Sequence, residues 1–496
     1  MSASLSTHLA DWTRQQSQTL ASQPAPAPGW QQLGRVSHIG DGIALVSGLE
    51  QAPADGMLLF TGNVPGLVLD LDEGRLGCLL LGAAEGIKAG DPVRMAPGVL
   101  RVPVGDGLLG RVIDPMGRAL DGRPDPTPDR LEPIERPAPA LTSRGTVAER
   151  LATGTTIIDS LYPIGRGQRE LIVGDRGTGK TCIAMDALLA QAGGDVIPIY
   201  CAIGQRASAV ADVIATLRDG GLADRAIIIV AAPDAAPGLQ WIGPYAAMTM
   251  AEYFRDSGRH ALLVLDDLSK HAAMHRQVSL LLQRPPGREA FPGDIFYLHS
   301  RLLERSAKLS DAAGGGSLTC LPVVETQAGN LAAYIPTNLI SITDGQIVLD
   351  TSQFQAGQRP AVDVGRSVSR VGARTQPPEL RKLAEKLKLE YAQFLELEAF
   401  TRFGGLVDER TKQTVERGRR LRALLGQRHG HPRALAAEVA LLLSHADGLL
   451  DGLTLPQVEQ VRDGIAASID GNDPANLDNL RRIIQTAKAA VLKGPA

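Results

Sequence analysis

Glu170-Leu171-Ile172-Val173-Gly174-Asp175-Arg176-Gly177-Thr178-Gly179-Lys180-Thr181-Cys182-Ile183-Ala184 is the stretch that decides the fold. The apolar run Leu171 to Val173 predicts a strand, and Cys182 onward predicts a helix. Between them Gly174, Asp175, Arg176, Gly177, Thr178, Gly179, Lys180 and Thr181 follow the spacing G-x-x-x-x-G-K-T. The glycines let the backbone curl so that its N–H groups and the helix N-terminus face an anion. Lys180 then reaches the outer phosphates of a nucleotide, and Thr181 offers its hydroxyl to Mg²⁺. A strand before and a helix after are the context that separates a phosphate-binding loop from a glycine-rich turn.

At 496 residues the chain exceeds what one core usually holds, so several domains are expected. Lys+Arg 51 against Asp+Glu 54 gives a formal net charge of −3, which carries no footprint of a nucleic-acid binder. Cys78, Cys182, Cys201 and Cys320 lie far apart with no C-x-x-C pair, so neither a zinc site nor a disulfide framework is expected, and a reducing compartment fits. No basic start followed by an apolar run marks the first twenty residues as a signal peptide. The charge-free stretch Ala235 to Ala251 is broken by Pro237 and Pro244, so no membrane span is expected.

Residues 1–28 combine a short segment with helical spacing at Leu5, Leu9 and Trp12 with a Pro/Ala linker ending at Pro28. Residues 29–96 hold short apolar pieces, Gly34–Val36, Ile43–Val46, Met57–Phe60, Gly66–Leu69 and Cys78–Leu81, separated by glycine and Asp turns. That spacing predicts a small β-barrel. Residues 97–376 begin with a proline-rich passage. They continue with apolar strands at Val196–Cys201, Ala226–Ala231, Ala261–Leu265 and Leu318–Val323, alternating with helical segments. This pattern predicts a largely parallel sheet covered by helices on both faces. Residues 377–496 open on Pro377-Pro378 and place Leu380, Leu383, Leu387 and Leu389 at helical intervals, predicting a helical C-terminal domain. The fold class is therefore multidomain α/β.

Leu262-Leu263-Val264-Leu265-Asp266-Asp267 reads as a buried strand ending in acids. A carboxylate at the C-terminal end of a parallel strand, beside a phosphate loop, can hold Mg²⁺ directly or through water, and Asp266 is the candidate. Asp267 or Ser269 suits the cap of the next helix better.

Several segments carry a wider resemblance. Pro163 to Leu171, Glu252-Tyr253-Phe254-Arg255-Asp256, Asp266-Asp267-Leu268-Ser269-Lys270, His299 to Arg305, Ile340 to Gln346 and Ser367-Val368-Ser369-Arg370-Val371-Gly372 resemble the α-subunit family of F-type ATP synthases, over nearly the whole chain. The resemblance implies a barrel, a RecA-like P-loop nucleotide domain and a helical domain in an α₃β₃ ring, with ATP or ADP and Mg²⁺ bound. It also implies ATP synthesis or hydrolysis coupled to transmembrane ion transport. The implied partners are a β subunit, the γ central stalk and the δ/b peripheral stalk. The ring would sit peripherally on the cytoplasmic face of the inner membrane, joined to it only through the Fo sector.

Within that resemblance Gln205 discriminates, because catalytic β-type subunits carry a glutamate there. A neutral amide orients water but is no general base near neutral pH. Arg370 is implied to reach the neighbouring subunit's site as an arginine finger, with Ser367 and Ser341 near the same interface. Phe354, Arg359 and Gln427 are implied at the adenine end, where an aromatic face and an amide suit a base. This chain departs from the family pattern at Gly177 and His429, each where glutamine is usual. Pro286 to Asp294 resembles the loop facing the central stalk, and Ala313 to Ser317 reads as a flexible approach to it. A self-sufficient export-type ATPase would want glutamate at Gln205. A hexameric RNA translocase would want a basic or aromatic barrel, which this sequence lacks.

Overall fold

The computed structural model describes residues 32–402, 408–469 and 471–493. The expected helical spacing at Leu5, Leu9 and Trp12, the Pro/Ala linker and the peripheral-stalk contact lie outside the described residues. Six strands, β1 (Leu33–Gly40), β2 (Ile43–Ser47), β3 (Gly56–Leu59), β4 (Pro65–Asp72), β5 (Arg75–Leu80) and β6 (Pro92–Val99), close a barrel in the order β1-β2-β5-β4-β3-β6. The five apolar pieces read from sequence are β1 to β5. The sixth gave no such signal, because Val93 is its one buried residue and Pro92, Pro97 and Gly98 interrupt it. It is held by backbone pairing, Leu33 with Arg94 and Leu58 with Met95, and it extends past residue 96. Alternate residues point inward, with Val36, Ala44, Val46, Val68, Cys78 and Leu80 filling the interior, and closure leaves no free edge.

Five short strands follow: β7 (Arg101–Val104), β8 (Val112–Ile113), β9 (Arg130–Pro133), β10 (Arg150–Leu151) and β11 (Ile164–Gly165). Then come β12 (Glu170–Asp175), β13 (Val196–Ile203), β14 (Ile227–Ala231), β15 (His260–Asp266), β16 (Ser317–Thr326), β17 (Gly345–Leu349) and β18 (Val368–Ser369). The main sheet runs β18-β17-β12-β16-β15-β13-β14-β8, parallel except for the β17–β18 pair. Its strands are apolar nearly throughout because both faces are covered. Ile172, Leu262 and Val264 join the core shared with the helices Lys180–Leu189 and Ala207–Asp219, whereas Leu171, Val173, Leu263 and Leu265 join the core of the helices Pro237–Asp256 and Leu268–Leu281.

Two of the quoted family-like segments meet inside this domain. The Arg305 guanidinium donates to Glu252 at 3.1 and 2.6 Å and to the Thr249 hydroxyl at 2.6 Å, with Arg305 and Glu252 both fully buried. Nearer the start of the helix that carries Glu252, the Trp241 indole donates to His275 Nδ1 at 3.0 Å, and His275 Nε2 donates to Asp294 at 2.9 Å. That bond ties the base of the Pro286 to Asp294 loop to the helix below it.

The C-terminal domain packs the helices Pro378–Arg402, Glu409–Leu425, Leu435–Ala446, Leu455–Ser468 and Leu477–Lys493. Leu380, Leu387, Tyr391 and Phe394 bury against Leu421 and Leu424, but Leu389, counted in the expected stripe, is 64% exposed. Among the described residues no helix is long and apolar enough to cross a membrane.

Candidate functional site at the phosphate loop

The C-terminal ends of β12, β13, β15 and β16 open onto a cleft of about 1130 Å³, the edge at which open α/β sheets bind ligands. The phosphate loop leaves β12 with Gly177 at φ +77° and Gly179 at φ +95°, a region that disfavours other side chains. Thr178 Oγ1 donates to the Asp175 carbonyl at 2.8 Å, and Lys180 Nζ donates to the same oxygen at 2.7 Å. Burial holds the Lys180 ammonium below its ordinary value, offset by Glu325 and the Asp pair. The Asp175 carboxylate anchors the loop, accepting from Thr326 Oγ1 at 2.6 Å, Gly329 N at 2.8 Å and Thr351 Oγ1 at 2.9 Å. Burial would raise that carboxyl, but these hydrogen bonds hold it below the usual range.

Asp266 is the hub on the facing side. Its Oδ2 accepts from Thr181 Oγ1 at 2.8 Å and from the Tyr200 phenol at 2.9 Å. Its Oδ1 accepts from Gln205 Nε2 at 2.8 Å. Gln205 Oε1 in turn accepts from Lys270 Nζ at 2.8 Å, and the same ammonium donates to Gly204 O at 3.0 Å. Chemistry fixes the amide's orientation: an ammonium can only donate and an ionised carboxylate can only accept. Thr181 and Asp266 bring together hard oxygen donors of the kind Mg²⁺ takes. Asp267 caps the following helix by accepting from Lys270 N at 2.8 Å, and burial pushes its carboxyl up to about 6.

At the far end of the cleft, Phe354 carries the Arg359 guanidinium over its ring at 3.4 Å from the centroid. Gln427 lines the same end, but its amide is used within the chain. Its Oε1 accepts from Thr156 N at 3.1 Å, and its Nε2 donates to Gly154 O at 2.6 Å and His431 O at 3.0 Å. In this arrangement Gln427 fastens the C-terminal domain to the nucleotide domain. His429 Nδ1 donates to Asp186 at 3.0 Å, and that hydrogen bond raises its pKa.

Comparison with known proteins decides the family. Residues 154–369 match the ATP synthase alpha/beta family, nucleotide-binding domain, and residues 376–492 match the ATP synthase alpha/beta chain, C terminal domain. ATP synthase subunit alpha 2 of Gluconobacter oxydans is 59% identical over 90% of this chain and 88% of its own length. ATP synthase subunit alpha 3 of Paraburkholderia xenovorans is 54% identical over 97% and 91%. The chain belongs to the α-subunit family of F-type ATP synthases. These relatives do not favour the export-type reading, and the cleft is a nucleotide-binding site by family.

The remaining residues singled out in sequence lie elsewhere in the chain. Arg370 follows β18, whose Ser369 pairs with Gly345, which pairs with Glu170 at the start of β12. It is thus at the opposite end of β12 from the phosphate loop. Arg370 is exposed, and its Nη1 donates to Thr343 O at 3.4 Å. Ser341 is exposed on the last turn of the helix Tyr334–Ile342. Ser367 is fully buried, and its hydroxyl accepts from Val348 N at 2.9 Å. That hydroxyl closes the backbone of β17. Sequence reasoning missed Tyr200, Lys270 and the Asp186 partner of His429. Tyr200 gave one signal, as the polar-tipped residue in an otherwise aliphatic strand.

Proposed function

We propose that this chain is the non-catalytic, regulatory nucleotide-binding subunit of a rotary F-type ATP synthase and that it lends Arg370 to a catalytic β-type neighbour. The observation that carries the reading is the state of Gln205. An amide locked between Lys270 and Asp266 has neither a base nor a free edge to give an attacking water. The main-chain N–H groups of Gly177 to Lys180 receive the phosphates of ATP or ADP, and Lys180 turns from the Asp175 carbonyl to reach them. Thr181 and Asp266 would hold Mg²⁺, which when bound supplies positive charge to the outer phosphate oxygens. Phe354 and Arg359 flank the base.

On this reading Arg370, exposed on the far side of the sheet from its own cleft, neutralises charge on the phosphoryl group transferred next door. Ser341 shares that surface, and Ser367 braces the strand behind it. The partners are β subunits alternating in an α₃β₃ ring, a γ stalk facing Pro286 to Asp294, and a δ/b stalk at the N-terminal segment. The assembly lies on the cytoplasmic face of the inner membrane, attached through Fo.

The purified chain, supplied with Mg·ATP, is the test. Nucleotide binding by calorimetry with turnover far below the roughly 1 s⁻¹ floor of ordinary enzymes is expected. Sustained hydrolysis at several per second by the isolated chain would overturn the reading.

A further inference from the structure

We infer that Gln168 and Glu170 are positioning residues for Arg370, acting through the hydroxyl of Ser369; this rests on the arginine-finger reading above. Both are fully buried at the start of β12, away from the nucleotide cleft. The Gln168 amide is a three-way joint. Its Oε1 accepts from Gly165 N at 2.8 Å, and its Nε2 donates to Glu170 Oε2 at 2.8 Å and to Ser369 Oγ at 3.1 Å.

The Ser369 hydroxyl passes the constraint on. It donates to Pro163 O at 2.8 Å and accepts from Gly372 N at 3.3 Å, bracketing Arg370 from both sides. The Arg370 N–H completes the frame by donating to Asp344 O at 3.0 Å. Two glycines are shaped to this frame. A Cβ on Gly345 would fall 2.6 Å from a Glu170 oxygen, and one on Gly372 would fall 1.5 Å from Pro163 O. The root of Arg370 is thus rigid while its guanidinium makes one long contact.

Glu170 itself is an unusual expense of burial. Its Oε1 has no hydrogen-bond partner among the described residues, and burial pushes its carboxyl well above the ordinary range. Glu170 therefore bears on Arg370 twice, as one end of the Gln168 joint and as a buried acid whose raised pKa the Arg370 charge partly opposes. With Glu170 in place, both Gln168 donors are committed and the amide cannot release Ser369.

The test uses reconstituted α₃β₃ rings and a cycle of variants: Gln168→Leu and Glu170→Gln, each with Arg370 present and with Arg370→Ala. Ring assembly, kcat and KM for Mg·ATP are read for each. Gln168→Leu is expected to lower kcat by about 10- to 100-fold with KM unchanged, the scale of a misplaced catalytic group. Glu170→Gln keeps the shape and an acceptor for Gln168, and is expected to lose less than Gln168→Leu. Neither substitution is expected to lower kcat further once Arg370 is alanine. Equal losses in both backgrounds would overturn the inference, because the residues would then act independently of Arg370. Unchanged kcat in Gln168→Leu beside a large Arg370→Ala defect would overturn it and leave the finger reading standing. An Arg370→Ala ring as fast as wild type would remove the finger reading and this inference with it.

Discussion

Replacing Arg370 by alanine separates what the side chain does for its own chain from what it does for a neighbour. Inside this chain the guanidinium is exposed and donates over 3.4 Å to the Thr343 carbonyl, a marginal contact. The hydrogen bond from the Arg370 backbone to Asp344 O survives the substitution. The expected change in the stability of the chain is therefore within about 0.5 kcal/mol, the range of ordinary surface substitutions. A finger acting on a transferring phosphoryl group is worth about 10³ to 10⁵ in rate, which corresponds to roughly 4 to 7 kcal/mol of transition-state stabilisation. The two scales differ about tenfold, so one variant discriminates. The assay is steady-state ATP hydrolysis by the reconstituted α₃β₃ ring, with assembly followed by sedimentation and bound nucleotide counted per subunit. A loss of at least three decades with the ring intact is expected. Arg370→Lys should recover part of it, since an ammonium restores charge but not the two-nitrogen fork. A loss smaller than about tenfold, with assembly and occupancy unchanged, would refute the reasoning.

Four further outcomes are expected. Gln205→Glu replaces the hydrogen bond to Asp266 by a facing carboxylate, and the attraction to Lys270 only partly offsets that repulsion. Turnover by the isolated chain should stay near background, and the Mg²⁺-free protein should lose about 1 to 3 kcal/mol of stability, read by denaturation with and without Mg²⁺. Glu252→Leu should destabilise by about 3 to 5 kcal/mol because Arg305 is left buried and unpaired, and Glu252→Leu with Arg305→Met should recover most of that in urea titrations. Burial lowers the His271 pKa to about 3, so the native state takes up this proton less readily than the unfolded chain. The contribution of His271 to stability is full above about pH 6.5 and is lost as pH falls from there toward 3, at up to about 1.4 kcal/mol per pH unit, and His271→Gln should flatten that slope. In Asp186→Asn, the His429 pKa should fall toward its ordinary value in an NMR titration, since the Asp186 hydrogen bond is the main cause of its rise.

The parts of the fold that could be read in sequence are those whose signal is local. The phosphate loop announces itself because turn, lysine and hydroxyl must be consecutive, and β13, β15 and β16 each carry an apolar run because helices cover both faces. β6 escaped notice because backbone pairing with β1 and β3, and not side-chain burial, holds it in the barrel. In the site, Thr181 and Asp266 were readable as partners from loop and strand-end positions. The Lys270 clamp on Gln205 and the Asp186 clamp on His429 join residues 65 and 243 positions apart, a juxtaposition that no single window of sequence contains. The polar atoms of Gln427 and Ser367 are consumed within the chain, by Thr156 and Gly154 in one case and by Val348 in the other, which residue type alone did not indicate. Residue type indicates what a group can bond to, and tertiary packing decides what it bonds to.

The six residues of β12 have one further consequence. The loop that receives phosphate continues from one end, and the frame that roots Arg370 is built on the other, about 17 Å away at the rise of an extended strand. Hydrogen-bonded on both sides, to β16 and β17, the strand behaves as a stiff rod within the sheet. On the function proposed above, a tilt imposed at the phosphate end would be delivered, reversed in direction, at the arginine end. In a closed ring of such subunits, each one would hold a nucleotide with one hand and reach for its neighbour's with the other, so occupancy and reach could not be adjusted separately.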